Sequence, residues 1–180
     1  MVDMDEGKLK TQARKNYAYR GIGMLLKLFA SSAGISHYKY YQIIAPYLVT
    51  ESKPTISPAA VKRYTNRGIP QSLSYSHLSN AIELAYQSYL ADPKRTHDEI
   101  KAAEEAHEKY YPKYFSTMKM LYRVIQLADE IEPFLDTNVR MKQTIIAFLG
   151  GTLFDEKETP DQETLSWLRE SLRQFPPKGI

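Results

Sequence analysis

The sequence predicts an all-α fold, with a four-helix head followed by a helical tail. Three observations support this prediction. Apolar residues recur at helical spacing along most of the 180 residues. Helix-starting Ser or Thr and helix-ending Gly separate these stretches. No run of alternating apolar and polar residues is bounded by hairpin turns. We therefore expect a basic N-terminal arm at residues 1–20, a compact head at 21–91 and a tail at 92–180. Within the first of these, KTQARKNYAYRG is either part of the arm or the first helical turns.

The first two helices of the head are predicted on either side of Gly34. From Gly21, the segment GIGMLLKLFASSAG carries its apolar residues on one face, namely Ile22, Leu25, Leu26 and Phe29. Gly34 is suited to the left-handed conformation that ends many helices. Ser36 is then a candidate N-cap for a second helix, HYKYYQIIAPYL, which Pro46 shortens or kinks.

The third helix has the clearest predicted boundaries. Ser57 is a suitable N-cap, Pro58 occupies the favoured first position, and Gly68 ends the helix after about ten residues. A fourth helix is predicted within 73–90. Its apolar face consists of Leu78, Ala81, Ile82, Ala85 and Tyr89.

The tail is predicted to begin after a linker, ADPKR. Thr96 and Glu99 have the spacing of a capping box and begin a charged helix that ends before Pro112. A long amphipathic helix is expected at 113–132, another near 137–149, and a last one from Thr159.

Composition excludes several classes of protein. The chain has no cysteine, so it has no disulfide, zinc-thiolate site or cysteine nucleophile, and no apolar run approaches the ~20 residues that span a bilayer. A soluble, cytoplasmic protein is expected. No Gly-rich phosphate loop, G-x-S-x-G or H-E-x-x-H motif is present, and Glu104 with His107 lacks the second pair that a di-iron site needs. We expect neither an enzyme nor a bound metal or cofactor.

The positive charge is concentrated in the first part of the chain. Residues 1–70 carry 11 Lys and Arg against 4 Asp and Glu, whereas residues 71–180 carry 13 against 17. This asymmetry indicates a head that faces a polyanion, although a basic surface without a function would have the same composition.

The stretch ISPAAVKRYTNRGIPQSLSYSHLSNAIELA resembles the helix-turn-helix family of lambda repressor and Cro. The similarity covers residues 21–90. It includes the Ile-Ser helix entry, Val61, Tyr64, the Gly68 and Pro70 that follow, and the next amphipathic helix. The resemblance implies a helix-turn-helix head in which residues 36–48 form the positioning helix and residues 57–67 form the recognition helix in the major groove.

The resemblance also implies roles for side chains of the third helix. Arg63 is the candidate donor to a base edge, with guanine as its natural partner. Lys62 and Arg67 are expected to hold phosphates, and Ala59 or Ala60 is expected to touch a thymine methyl group. Asn66 is also a candidate DNA-binding residue. Basic residues of the arm, namely Lys8, Lys10, Arg14 and Lys15, would extend the phosphate contacts.

A second helix-turn-helix register overlaps the first. In LFASSAGISHYKYYQII, the small and apolar residues Ala30, Gly34 and Ile35 precede Ser36 with the spacing of a generic helix-turn-helix. In this register the base-facing residues are His37, Tyr38, Lys39 and Gln42. Both registers imply DNA, but they give opposite roles to residues 36–48, and the first is preferred because it accounts for Ser57, Pro58 and Gly68.

The functional expectation is a sequence-specific, double-stranded-DNA-binding transcriptional regulator. A repressor from a prokaryote or its mobile elements fits best, acting as a homodimer because two heads one DNA turn apart double the base contacts. Candidate dimer-interface residues in the tail are Leu121, Ile125, Leu168 and Leu172. The alternative is a protein-binding adaptor, antitoxin-like or a phage host-interaction factor, that uses the tail and reads no DNA.

Overall fold

The computed structural model describes residues 6–131, which confirm the all-α prediction for that part of the chain. It contains six helices: α1 (Glu6–Ser32), α2 (His37–Ile44), α3 (Pro58–Arg67), α4 (Tyr75–Leu90), α5 (His97–Lys109) and α6 (Tyr111–Ile131). A turn of 3-10 helix at Ala45–Tyr47 extends α2, with Pro46 inside it. The helices predicted near 137–149 and from Thr159, together with the candidate interface residues Leu168 and Leu172, lie outside the described residues.

The N-terminal region differs from the predicted arm. From Glu6 onward the chain is helical, and α1 continues without a break through Gly21, where the first helix was expected to begin. Lys15 pairs through its Nζ with the carboxylate of Asp129 in α6. Residues 6–20 are therefore the first turns of α1, and Lys15 is held by an acid of the same chain.

Contacts between Cα atoms divide the chain into two compact units. One unit consists of residues 19–119, so α5 groups with α2, α3 and α4 and not with a separate region that begins at residue 92. The other unit includes residues 6–18 and 120–131 among those described. There, Leu121 and Ile125 are buried within the single chain. Both therefore pack in the interior of the single chain, and a part for them in a dimer interface stays a prediction.

The core of residues 19–119 uses the apolar faces that the sequence indicates. On α1, Ile22, Leu26 and Phe29 are fully buried, and all five predicted face residues of α4 are buried as well. The Phe29 ring contacts Tyr111 edge-on, with 4.7 Å between the ring centroids. α2 packs against both α3 and α4. Burial of these side chains supplies most of the driving force that holds the short helices together.

The predicted helix boundaries are confirmed by their hydrogen bonds. The side chains of Ser36, Ser57 and Thr96 each accept a backbone N–H from the first turn of α2, α3 and α5, and Thr96 with Glu99 completes a capping box. Ser74 caps α4 in the same way, and the helix begins at Tyr75, two residues after the expected Leu73. Gly34 ends α1 with φ 69°, which is the left-handed conformation predicted for it.

The connection between α4 and α5 is an ordered turn, not the predicted linker. Arg95 pairs with Asp92 at 2.9 Å and with Glu99 at 3.2 Å, and its guanidinium lies 4.5 Å from the centroid of the Tyr89 ring. On α5, His107 pairs with Glu83 of α4 at 3.0 Å and stacks on a neighbouring tyrosine. His107 is thus a packing residue between two helices.

Candidate nucleic-acid interface

α3 has one buried and one exposed face. Ala60, Val61, Tyr64 and Thr65 are buried, and the Tyr41 hydroxyl of α2 lies 3.2 Å from the Thr65 Oγ1. Ala59, Lys62, Arg63, Asn66 and Arg67 are exposed. We call these five exposed residues the α3 face. They follow helical spacing, so a single side of the helix presents them together.

The α3 face is cationic and has no acidic neighbour in sequence. Between Glu51 and Glu83 the chain contains no Asp or Glu. None of Lys62, Arg63 and Arg67 forms an ion pair with another residue between positions 6 and 131. Three positive charges are therefore presented to solvent without compensation, which attracts anions.

One predicted contact residue is not on this face. Ala60 is 8% exposed and lies among the buried residues of α3, one residue away from the exposed Ala59. Successive helical residues are about 100° apart around the axis, and this rotation carries Ala60 to the buried side of α3 beside Val61 and Tyr64. The prediction for Ala60 is corrected to a core position, whereas Ala59 is accessible.

Backbone contacts fix the end of α3 against α1. A Cβ atom at Gly23 would overlap the carbonyl oxygen of Tyr64, so only glycine permits the observed approach of the two helices. Gly68 then turns the chain with φ 108°, and the backbone N–H of Ile69 donates to the carbonyl oxygen of Tyr19 at 3.3 Å. These contacts place α3 directly alongside residues 19–27 of α1.

α1 adds its own cations beside the α3 face. Lys27 donates from its Nζ to the Asn66 Oδ1 at 2.7 Å, and Arg20 is exposed on the segment whose backbone contacts Gly68. Neither residue was predicted from the sequence as part of this surface. Gly23 was a usable signal, because a glycine inside a helix costs stability unless another backbone needs the space.

The four residues that the second register predicts to face the bases have different surroundings in the structure. His37, Tyr38 and Gln42 are exposed on α2, and the His37 Nε2 lies 2.9 Å from the Ser31 Oγ of α1. Lys39 is half-buried. The backbone N–H of Lys94 and then Arg95 lower the pKa of Asp92, and the Lys39 ammonium adds to this effect. Lys39 therefore lies toward the acidic turn between α4 and α5.

The two connections that flank α2 have different lengths. A short turn joins α1 to α2, with the Ile35 N–H donating to the Ala30 carbonyl at 2.9 Å and the Gly34 N–H to Ser31 at 3.1 Å. The connection from the 3-10 turn to α3 runs over residues 48–57 and contains a local turn in which Thr50 and Lys53 exchange backbone hydrogen bonds. The short turn between α1 and α2 is thus a feature of the second register. The helix α3, whose cations form no ion pair within the described residues, is a feature of the first.

Comparison of the chain with protein-family models, with curated proteins and with solved structures finds no match. The chain is accordingly assigned to no family. Its resemblance to lambda repressor and Cro stays a prediction that depends on the quoted residues alone.

Proposed function

We propose that the protein is a sequence-specific, double-stranded-DNA-binding regulator and that α3 enters the major groove. The observation that carries the proposal is the α3 face: three exposed cations on one side of a capped helix, with no ion-pair partner in the described part of the chain. DNA supplies a dense row of phosphates, and cations that neutralise them release bound counterions. A helix of this kind fits the width of the major groove.

The roles of the side chains follow from their chemistry. The Arg63 guanidinium is planar and donates in a fork, which matches the two acceptors at the guanine edge. Lys62 and Arg67 lie one residue before and one turn after it on the exposed side, where they would contact phosphate. Ala59 offers a methyl group near the helix start for contact with thymine. The contacts of Arg63 and Ala59 would distinguish one base pair from another, whereas the phosphate contacts of Lys62 and Arg67 would not.

The surrounding fold supports a rigid presentation of this helix. Ser57 caps α3, Pro58 fixes its first turn, and the crossing with α1 involves backbone atoms that have no rotamer freedom. Side chains on a rigid element lose less entropy on binding than side chains on a loop. We further propose that the protein acts as a dimer, since two α3 helices reading successive grooves double the number of contacts.

The first test is a fluorescence-anisotropy titration with duplex DNA from the region upstream of the protein's own gene, and with a scrambled duplex of the same composition. Each titration is repeated at several salt concentrations. We expect the affinity to fall steeply with salt, with a slope in log–log coordinates of roughly −0.9 per phosphate neutralised. A salt-insensitive complex would favour the adaptor alternative.

Variants separate base reading from phosphate binding. Arg63→Ala should lower the affinity for the specific duplex by roughly tenfold or more and leave the scrambled duplex little affected. Lys62→Ala should weaken both and reduce the salt slope by about one. Lys101→Ala, at an exposed lysine of α5, is the matched control and should change neither. Equal losses from Lys101→Ala and Arg63→Ala would contradict the assignment of the α3 face.

Lys39→Ala tests the second register in the same assay. A loss confined to this variant, with Arg63→Ala unaffected, would transfer recognition to residues 36–45. We expect the reverse, because Lys39 is half-buried and lies toward the acidic turn that contains Asp92.

A further inference from the structure

Asn66 is exposed on the α3 face, but one of its polar atoms is already engaged. The Lys27 Nζ donates to the Asn66 Oδ1 at 2.7 Å across the contact between α1 and α3. A lysine ammonium has three donors and no acceptor. The amide must therefore turn its oxygen toward Lys27, and its Nδ2 donors toward the opposite side.

The position of Lys27 beside Asn66 follows from the helix crossing. Gly23 lies one turn before Lys27 on α1 and meets the backbone of Tyr64, which lies two residues before Asn66 on α3. Residues one turn apart share a helix face, so the glycine contact brings Lys27 to the C-terminal half of α3. Because this crossing admits no side chain, the distance between the two residues has little freedom to change.

The orientation of an asparagine determines what it can read. The usual pairing of asparagine with adenine is bidentate: Nδ2 donates to N7, and Oδ1 accepts from the N6 amino group. At Oδ1 of Asn66, the lysine donor would compete with that amino group, and its positive charge would repel the amino hydrogens. The Nδ2 donors remain suited to acceptors, of which guanine presents two, O6 and N7, and thymine one, O4, whereas adenine presents N7 beside an N6 amino donor that would then lack its acceptor.

We propose that Lys27 is a positioning residue that orients Asn66 as a hydrogen-bond donor, so that Asn66 selects guanine or thymine over adenine at one base of the bound site. The inference depends on the proposed function, since it assigns a base preference to that DNA-binding surface. It adds a residue of α1 to the specificity of α3. It also predicts a preference opposite to the one that asparagine ordinarily shows.

The test is selection of bound duplexes from a random-sequence pool, followed by sequencing, with the full-length protein. Wild type should yield one position that prefers guanine or thymine over adenine by roughly tenfold, and Asn66→Ala should lose the preference at that position alone. Lys27→Met keeps the length of the side chain but removes the donor. It should shift the same position toward adenine or flatten it, whereas Lys27→Arg should restore the wild-type preference.

The possible results separate this inference from the proposed function. If no sequence is enriched by wild type, both fail. An enriched site that contains an Asn66-dependent adenine, or one that is unchanged in Asn66→Ala, overturns this inference and leaves the proposed function standing. A uniform loss of affinity in Lys27→Met, without any change in base preference, also overturns it and makes Lys27 a phosphate contact. Circular dichroism of each variant establishes that it is folded, and Lys27→Arg supplies a second comparison.

Discussion

Charged side chains have different surroundings at the α4–α5 turn and on the α3 face. Around the α4–α5 turn, Arg95 pairs with Asp92 and Glu99, and His107 pairs with Glu83. On the α3 face, Lys62, Arg63 and Arg67 form no ion pair within residues 6–131. Both regions belong to the same compact unit. Charged side chains thus form internal contacts in one place and are exposed without an ion-pair partner among the described residues in the other.

The difference has an energetic basis. Exposed ion pairs contribute little to stability, so the α4–α5 charges mainly fix the geometry of a turn. Like charges close together on one helix face repel each other at a small cost. On the α3 face, no ion pair inside the described part of the chain offsets this repulsion. A polyanion would remove the repulsion on binding.

The largest loss of stability is expected at the backbone contact between α1 and α3. Gly23→Ala places a methyl group against the Tyr64 carbonyl, so α1 and α3 must separate. We expect a loss of about 2 kcal/mol in the free energy of unfolding, typical of overpacking. Urea denaturation followed by circular dichroism measures it. Met24→Ala, at the next and exposed residue, should change stability by less than about 0.5 kcal/mol. Equal effects would show that the crossing is not tight.

A smaller loss of stability is expected when a helix cap is removed. The accompanying change in DNA binding should differ between α3 and α5. Ser57→Ala and Thr96→Ala each remove a side-chain acceptor at a helix start, which should cost about 1 kcal/mol. Only Ser57→Ala should also weaken DNA binding, because it frays the first turn of α3. Thermal unfolding and anisotropy on the same samples test this. Ser76→Ala, at an exposed position in α4, is the control. Weaker DNA binding by Thr96→Ala would contradict the expected difference between α3 and α5.

The smallest effect is a pH dependence confined to the paired region. The backbone N–H of Lys94 and then Arg95 hold the pKa of Asp92 below its ordinary 3.8, and the backbone N–H of Thr96, its hydroxyl and Arg95 hold that of Glu99 below 4.5. Lowered pKa values in the folded state stabilise the protein above the unfolded values. That stability is lost as the pH falls through the folded values.

Arg95→Gln isolates this contribution. The stability difference between wild type and Arg95→Gln should be largest at neutral pH and should shrink as the pH falls below the ordinary pKa values of 3.8 and 4.5 and through the lowered pKa values of Asp92 and Glu99. Urea midpoints at neutral and acidic pH measure it, with Lys101→Gln as an exposed control. A difference that stays constant with pH would mean that Arg95 acts through its contact with Tyr89 alone.

Local signals made much of the fold predictable. The starts of α2, α3 and α5 follow from Ser36, Ser57 and Thr96, because a cap depends only on its own first turn. The buried face of α4 follows from its periodicity. The exposure of Lys62 and Arg63 follows from the same argument applied to α3, since their apolar neighbours define the other side.

What the sequence did not reveal depends on contacts between distant segments. Gly21 indicated the start of a helix, whereas α1 runs through it, and Gly23 inside the helix permits the close approach of the α3 backbone. Lys27 and Asn66 are 39 residues apart, and no local pattern connects them. Ala60 differs from Ala59 only in its rotation around the helix axis, which a hydrophobic pattern with two adjacent alanines leaves open. Tertiary packing decided each of these cases.

The crossing of α1 and α3 has a consequence for engineering. The three atoms nearest to a Cβ at Gly23 are backbone atoms of Tyr64 and Thr65, so this part of the helix crossing involves no outward side chain of α3. Joint substitution of Ala59, Lys62, Arg63 and Arg67 should therefore leave the crossing in place. Under the proposed function, these four positions are the ones to randomise in a library for altered DNA targets.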